Sequence, residues 1–179
     1  MIYVQVTSKE TYKVVREMLL SKKFKQYRLA KDTGVTFSLV NRIVNWFVSR
    51  GFVAKRTGFY ELIAAGAVFN LFPLYRKMKP TAVFDVDLPQ KELLSMVKRK
   101  GVLCLTSALS FYDDYYRDPA VYLYLKDEKL FDELKRLPKG YAHVEVFKED
   151  LNAGDFEKKN GQLVTSKIRA VIGLFCASK

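Results

Sequence analysis

Helical patterns at 26–33 and 36–50, each followed by a glycine, restrict what this chain can fold into more than any other feature. Apolar residues recur at helical spacing through both stretches, which predicts a short helix and then a longer amphipathic one. Gly34 and Gly51 follow them, and glycine most easily takes the left-handed conformation at which helices end. The pattern predicts two helices joined by a tight turn.

Further elements are predicted on either side of this pair. Helical spacing from 8 to 23 predicts a first helix with Ser8 as its cap. After the longer helix, strand-like pieces at 52–56 and 59–62 are separated by a Thr-Gly pair, which predicts a hairpin. The order expected for this part of the chain is therefore helix, helix, turn, helix, hairpin.

The remainder of the sequence alternates between strand and helix patterns. Residues 66–80 predict a connecting helix that is broken near Pro73. Strands are expected at 83–87, 120–125 and 141–147, helices at 89–100, 103–116, 127–137 and 164–177, and a loop at 152–162. The buried stripe expected for the last helix is Ile168, Val171, Ile172 and Phe175. The fold class is predicted to be α+β, with a domain at 1–65, a connecting helix at 66–80 and a second domain at 81–179.

Positive charge is concentrated in the first part of the chain. Residues 1–80 contain 15 Lys and Arg against four Asp and Glu, whereas residues 81–179 contain 16 against 15. A basic module joined to a nearly neutral one is typical of a nucleic-acid-binding domain with a second domain attached. The alternative is a basic surface that is simply solvated.

Several classes of protein are disfavoured by composition. No apolar run approaches the roughly 18 residues that a membrane span needs, and the first residues lack the pattern of a signal peptide, so we expect a cytoplasmic protein without a membrane partner. Cys104 and Cys176 lie in apolar stretches without metal-ligand spacing, which predicts buried, reduced thiols. The single histidine, His143, makes a zinc site or histidine-based catalysis improbable, and we expect no cofactor.

Residues 28–44, followed by 48–53, resemble a winged helix-turn-helix DNA-binding domain. The resemblance implies that the start of the longer helix meets base edges in the major groove of double-stranded DNA. The side chains expected there are Thr36, Phe37, Ser38, Asn41, Arg42 and Asn45. Arg42 suits guanine, and Asn41 or Asn45 suits adenine. The residues expected to contact the backbone or the minor groove are Lys55, Arg56 and Thr57 on the hairpin, with Lys25 and Arg28 near the second helix.

The second half is similar to the effector domain of AbiEi-type antitoxins of type IV toxin–antitoxin systems. The segments that carry this resemblance are 105–112, 121–124 and 164–175. It implies an α+β domain joined to an N-terminal winged helix, repression of the protein's own operon, and a cognate toxin as a possible partner.

Taken together, these features predict a sequence-specific transcriptional regulator of the repressor type that is not an enzyme and that acts as a homodimer. One alternative is a winged-helix module that binds another protein and no DNA. Another is a nucleotidyltransferase-like enzyme, because Asp85 and Asp87 would place two carboxylates on one face of a strand, as a magnesium site requires. Phe37 is either groove-facing or part of the core, and Trp46 packs either on the connecting helix or in a subunit interface.

Overall fold

The computed structural model describes residues 4–98, 100–148 and 155–177, and the chain divides into two compact units at Arg76 and Lys77. Helices and strands are mixed in both units, so the α+β class predicted from the sequence is confirmed. Within the described ranges, no helix is both long enough and apolar enough to cross a membrane.

In its described residues, 4–76, the first unit consists of four helices and a small antiparallel sheet. Its elements are α1 (Lys9–Ser21), β1 (Lys23–Phe24), α2 (Gln26–Thr33), α3 (Phe37–Ser49), β2 (Val53–Arg56), β3 (Phe59–Leu62) and α4 (Ala65–Tyr75). The sheet has the order β1-β3-β2. The Ser8 hydroxyl caps α1 by accepting a hydrogen bond from the Thr11 amide at 3.1 Å, and Gly34 ends α2 with a φ of +68°.

The core of the first unit is built from the apolar sides of α1, α2 and α3. Its most deeply buried side chains are Tyr12, Val14, Met18, Leu29, Val40, Ile43, Val44 and Phe47. These positions follow helical spacing along each helix, as the sequence pattern predicts. Each helix therefore presents its other side to solvent.

Two predictions for the first unit were wrong in detail. Lys23 was expected in the first helix, but with Phe24 it forms a strand that pairs with Glu61 and Tyr60 of β3. Pro73 does not break α4, which continues to Tyr75. Proline removes the hydrogen bond to residue i−4 and crowds the carbonyl of that residue, and α4 ends two residues beyond Pro73 instead of continuing to residue 79.

The part of the second unit that the structure describes contains a six-stranded mixed sheet with four helices. Its elements are β4 (Ala82–Val86), α5 (Gln90–Val97), β5 (Gly101–Leu103), α6 (Leu105–Leu109), β6 (Val121–Leu125), α7 (Glu128–Arg136), β7 (Ala142–Phe147), β8 (Phe156–Lys159), β9 (Gln162–Thr165) and α8 (Lys167–Ala177). The strand order is β4-β7-β6-β5-β9-β8. Strands β6 and β7 are parallel, as are β5 and β9, while the other neighbours are antiparallel.

The middle of this sheet differs from the sequence prediction. Instead of one helix over 103–116, the chain forms the strand β5, which pairs with both β6 and β9, followed by the five-residue helix α6. The predicted loop at 152–162 is also wrong from residue 156 onward, because β8 and β9 form a hairpin there. Residues 149–154 lie outside the described residues.

The stripe expected for the last helix, α8, is confirmed at Ile172 and wrong at Phe175, while Ile168 and Val171 are half-buried. Its buried residues are Arg169, Ala170, Ile172, Gly173 and Cys176, whereas Phe175 is 39% exposed. The reason is close packing on α6: a Cβ at position 173 would lie 2.7 Å from Leu105 Cδ2. The prediction is confirmed that Cys104 and Cys176 are buried and not joined in a disulfide.

A tight approach at Gly140 supports a stability prediction. A Cβ there would lie 2.3 Å from Asp87 Cα and 2.5 Å from Asp87 N, so the backbone itself would have to shift. We expect Gly140→Ala to lower the free energy of unfolding by about 2–3 kcal/mol, measured by urea denaturation followed by circular dichroism.

The matched control is Gly66→Ala in α4, where a Cβ would meet no atom within 4 Å. Alanine in a helix should leave stability unchanged or raise it by about 0.5–1 kcal/mol. Equal effects of the two substitutions would show that the approach at Gly140 does not constrain the fold.

Candidate nucleic-acid interface

The solvent side of α3 carries a continuous polar stripe. Its residues are Ser38, Asn41, Arg42 and Asn45, spaced so that they share one face of the helix. The opposite side, with Val40, Ile43 and Val44, is completely buried. This burial fixes which way the stripe faces, because rotating the helix would expose the apolar side chains.

The start of α3 is open to solvent. Thr36 occupies the N-cap position, and its side chain makes no capping hydrogen bond. Phe37 is 50% exposed, so it does not belong to the core. The first N–H groups of a helix lack intrahelical partners and attract anions, so this end can approach a phosphate.

Three amide side chains form a cluster on this face, which we call the amide cluster: Gln26, Asn41 and Asn45. Gln26 Nε2 donates to Asn41 Oδ1 at 3.3 Å, and Asn45 Nδ2 donates to the same oxygen at 2.5 Å. The first bond joins the start of α2 to α3. It therefore fixes the start of α2, which carries Gln26, against the polar stripe of α3.

Arg42 differs from Arg28 and Arg56, which both lie beside a carboxylate. The helix that carries it has no acidic residue, and within the described part of the chain no carboxylate lies within ion-pair distance of its guanidinium. Arg28, by contrast, pairs with Asp32 at 3.1 Å. The guanidinium of Arg42 is thus available to an external acceptor.

The β2–β3 hairpin presents the other predicted contacts. Lys55, Arg56 and Thr57 are all exposed at its tip. Arg56 Nε lies 3.1 Å from Glu61 Oε2, and Lys23 Nζ lies 3.7 Å from Glu61 Oε1. Glu61 therefore holds two cations, one on the hairpin and one on β1.

A groove of about 560 Å³ continues this basic surface between α1, β1, α2 and β3. Its basic lining residues are Lys23, Lys25 and Arg28, with Phe59 of the hairpin at one side. Glu17 and Asp32 line it as well, so only part of the positive charge is unbalanced. The groove connects the start of α2 with the hairpin.

The structure places all eleven predicted contact residues in the first unit and on exposed or half-exposed positions. Sequence reasoning missed two further residues of this surface, Gln26 and Lys23. Gln26 carries no signal except its place at the start of a helix, and Lys23 was assigned to a helix although it lies on β1.

Trp46 is buried and packs edge-on against Phe47. The guanidinium of Arg50 lies over its ring, 3.7 Å from the ring centre.

Two polar side chains of the second unit, Ser107 and Asp85, make contacts between neighbouring elements; Asp85 is one of the two carboxylates that suggested an enzyme. Ser107 accepts a hydrogen bond from the Tyr122 amide at 2.9 Å and donates to the Ala120 carbonyl at 3.2 Å, which ties α6 to β6. Asp85 lies beside His143 on the neighbouring strand, and among the described residues no group of three or more His, Cys, Asp or Glu is arranged to hold a metal.

His143 lies between two carboxylates. Its Nδ1 is 2.8 Å from Asp85 Oδ1, and its Nε2 is 3.2 Å from Glu145 Oε1. The hydrogen bond to Asp85 is the main cause that raises the pKa of His143 above its usual 6.5, while burial opposes it and Glu145 reinforces it.

Comparison with known proteins gives no relative from which a function could be transferred. No protein-family model, no curated protein and no solved structure matches the chain significantly. The function proposed below therefore depends on the chemistry of the residues just described.

The contacts of His143 support a prediction about pH. Because the pKa is raised in the folded state, protonated His143 adds stability below pH 6.5, and this contribution is lost as the pH rises through the raised value. His143 is the only histidine, so its ring proton signals in an NMR titration report its pKa directly. Asp85→Asn should lower that pKa and reduce the loss of stability above pH 6.5.

The control for this titration is Asp87→Asn, which removes a nearby carboxylate that makes no contact with the ring. It should leave the pKa of His143 almost unchanged. Since the His143 side chain is 40% exposed, the effect on stability will be small. A pKa that does not respond to Asp85→Asn would contradict the assigned cause.

Proposed function

We propose that this chain is a sequence-specific regulator of transcription whose first unit acts as a winged helix-turn-helix domain on double-stranded DNA. The observation that carries the proposal is the polar stripe of α3, which has no acidic residue and includes the unpaired guanidinium of Arg42. In this role α3 enters the major groove, and the β2–β3 hairpin acts as the wing on the adjacent backbone. Occupancy of an operator would then repress transcription.

This assignment is supported by the basic side chains around α3, which occur on β1, at the start of α2 and at the hairpin tip. The amide cluster links α3 to the start of α2, and Glu61 links β1 to the hairpin tip. Lysine and arginine side chains follow this path from one end to the other. Phosphates on both sides of a major groove would be neutralised by such a path, which supplies affinity without sequence preference.

A homodimer is part of the proposal. From Ser38 to Asn45 a helix rises by about 10 Å, which matches about three base pairs. Three base pairs are too few to define an operator, whereas a two-fold dimer reads two half-sites. A cognate toxin rests only on the resemblance of the second half to AbiEi-type antitoxins and stays a prediction.

One observation favours a second candidate, a module that binds an acidic protein. Tyr27 is 75% exposed and Phe37 is 50% exposed, and exposed aromatic side chains are common at protein interfaces. The two candidates differ in their response to random duplex DNA. A DNA-binding domain binds it with an affinity that falls steeply with salt, whereas a module that binds only protein does not.

Arg42→Ala tests the recognition helix. If the guanidinium reads a base, its loss should cost about 1–3 kcal/mol on the preferred duplex selected from a random library, and much less on an unrelated duplex. Binding of both duplexes would be measured at one fixed salt concentration.

The control is Lys31→Ala, which removes the same charge from an exposed position in the last turn of α2. It should weaken both duplexes to a similar, small extent. If Arg42→Ala also weakened the two duplexes equally, α3 would not be the element that reads bases.

Glu61→Gln tests the hairpin. The substitution releases Lys23 and Arg56 from their shared carboxylate, so affinity for any duplex should rise. The slope of log K against log salt should become steeper by about 1. Fluorescence anisotropy at four salt concentrations would measure both quantities.

Glu10→Gln is the matched control, because it changes the net charge equally but lies in the first turn of α1. A smaller effect of this control is expected. Identical effects of the two substitutions would mean that only the total charge matters and would remove the hairpin from the interface.

A further inference from the structure

The amide cluster restricts what Asn41 can offer to a ligand. A carbonyl oxygen has two lone pairs, and Asn41 Oδ1 already accepts hydrogen bonds from Gln26 and Asn45. The Nδ2 group of Asn41 makes no hydrogen bond within the described residues. Asn41 therefore presents two N–H donors and no acceptor.

The next residue along the helix has the same character. Arg42 carries only donors, because a guanidinium has no acceptor atom. Asn41 and Arg42, at the centre of the polar stripe, thus both offer hydrogen-bond donors only. The acceptors that remain in the cluster are Asn45 Oδ1, one turn further along α3, and Gln26 Oε1 at the start of α2.

Base edges in the major groove respond differently to such a pattern. Adenine pairs with an asparagine through one donor and one acceptor, so it needs the oxygen of the asparagine. Guanine presents two acceptors, O6 and N7. An asparagine whose oxygen is engaged matches guanine and does not match adenine in the two-bond arrangement.

We propose that Gln26 is a positioning residue for DNA recognition. Because Gln26 engages the side-chain oxygen of Asn41, the half-site that this protein prefers carries guanine, and not adenine, at the base that Asn41 contacts. The proposal rests on the proposed function and corrects the expectation that Asn41 suits adenine. Gln26 itself touches no base in this scheme. It acts from the start of α2 by occupying the oxygen of Asn41.

The test is Gln26→Glu in the full chain. A carboxylate has no donor, so the bond from position 26 to Asn41 Oδ1 would be lost. That oxygen would keep only the bond from Asn45 and would regain one lone pair for an external donor. An acidic residue is also favoured in the first turn of a helix, so the variant should fold. Retained folding would be checked by circular dichroism and by the fluorescence of Trp46, which is buried in the first unit.

Binding sites would be selected from a random duplex library for the wild-type chain and the variant. The base that Asn41 meets is the one whose preference disappears in Asn41→Ala. We expect the wild-type chain to prefer guanine over adenine there by at least about tenfold. In Gln26→Glu this preference should disappear or reverse.

Gln5→Glu is the matched control, because it makes the same chemical change at an exposed residue before α1. It should lower affinity slightly for all duplexes and leave the base preference as it is. A wild-type preference for adenine at that base, or a guanine preference that survives Gln26→Glu, would overturn the proposal while leaving DNA binding intact.

A second measurement tests the cluster without DNA. In the free protein, the side-chain amide protons of Gln26 and Asn45 should exchange with solvent more slowly than those of Asn41. The reverse order would overturn the role of Gln26 directly. Absence of binding to any duplex, with the expected exchange rates, would instead overturn the proposed function and leave the cluster as a structural feature.

Discussion

The burial of one side of α3 is the constraint on which the candidate interface depends. Val40, Ile43 and Val44 are completely removed from solvent, in a core shared with Val14 and Met18 of α1. Burying each such side chain contributes about 1.5–3 kcal/mol, which far exceeds any contact on the solvent side. The polar stripe faces solvent because the apolar side of α3 must stay buried. The amide cluster forms where this core holds α2 against α3.

Charge in the first unit is arranged by a few carboxylates. Asp32 pairs with Arg28, and Glu61 lies between Lys23 and Arg56, whereas α3 has no carboxylate of its own. Exposed ion pairs of this kind add little stability, so their main effect is on the field at the surface. The positive electrostatic field is reduced beside Asp32 and Glu61, and it is not reduced by any carboxylate of α3 around Arg42.

The second unit depends on long-range pairing. Its central strand β5 has only three residues, yet it lies between β6 and β9 and makes the sheet continuous. Ser107 then fixes the short helix α6 to β6 through hydrogen bonds to two backbone groups. None of these partners is close in sequence, so the local pattern around 103–116, which is mostly apolar, indicated a helix.

The sequence by itself determined the elements whose signals are local: the caps at Ser8 and Gly34, the amphipathic pattern of α3, the hairpin after it and the excess of positive charge in the first 80 residues. Apolar spacing and glycine conformations act within a few residues, so they can be read from the chain. Only the tertiary structure decided that Lys23 and Phe24 form a strand, that 156–165 form a hairpin, and that Gln26 holds the oxygen of Asn41. These features arise from contacts between segments far apart in sequence, where packing and pairing outweigh local preference.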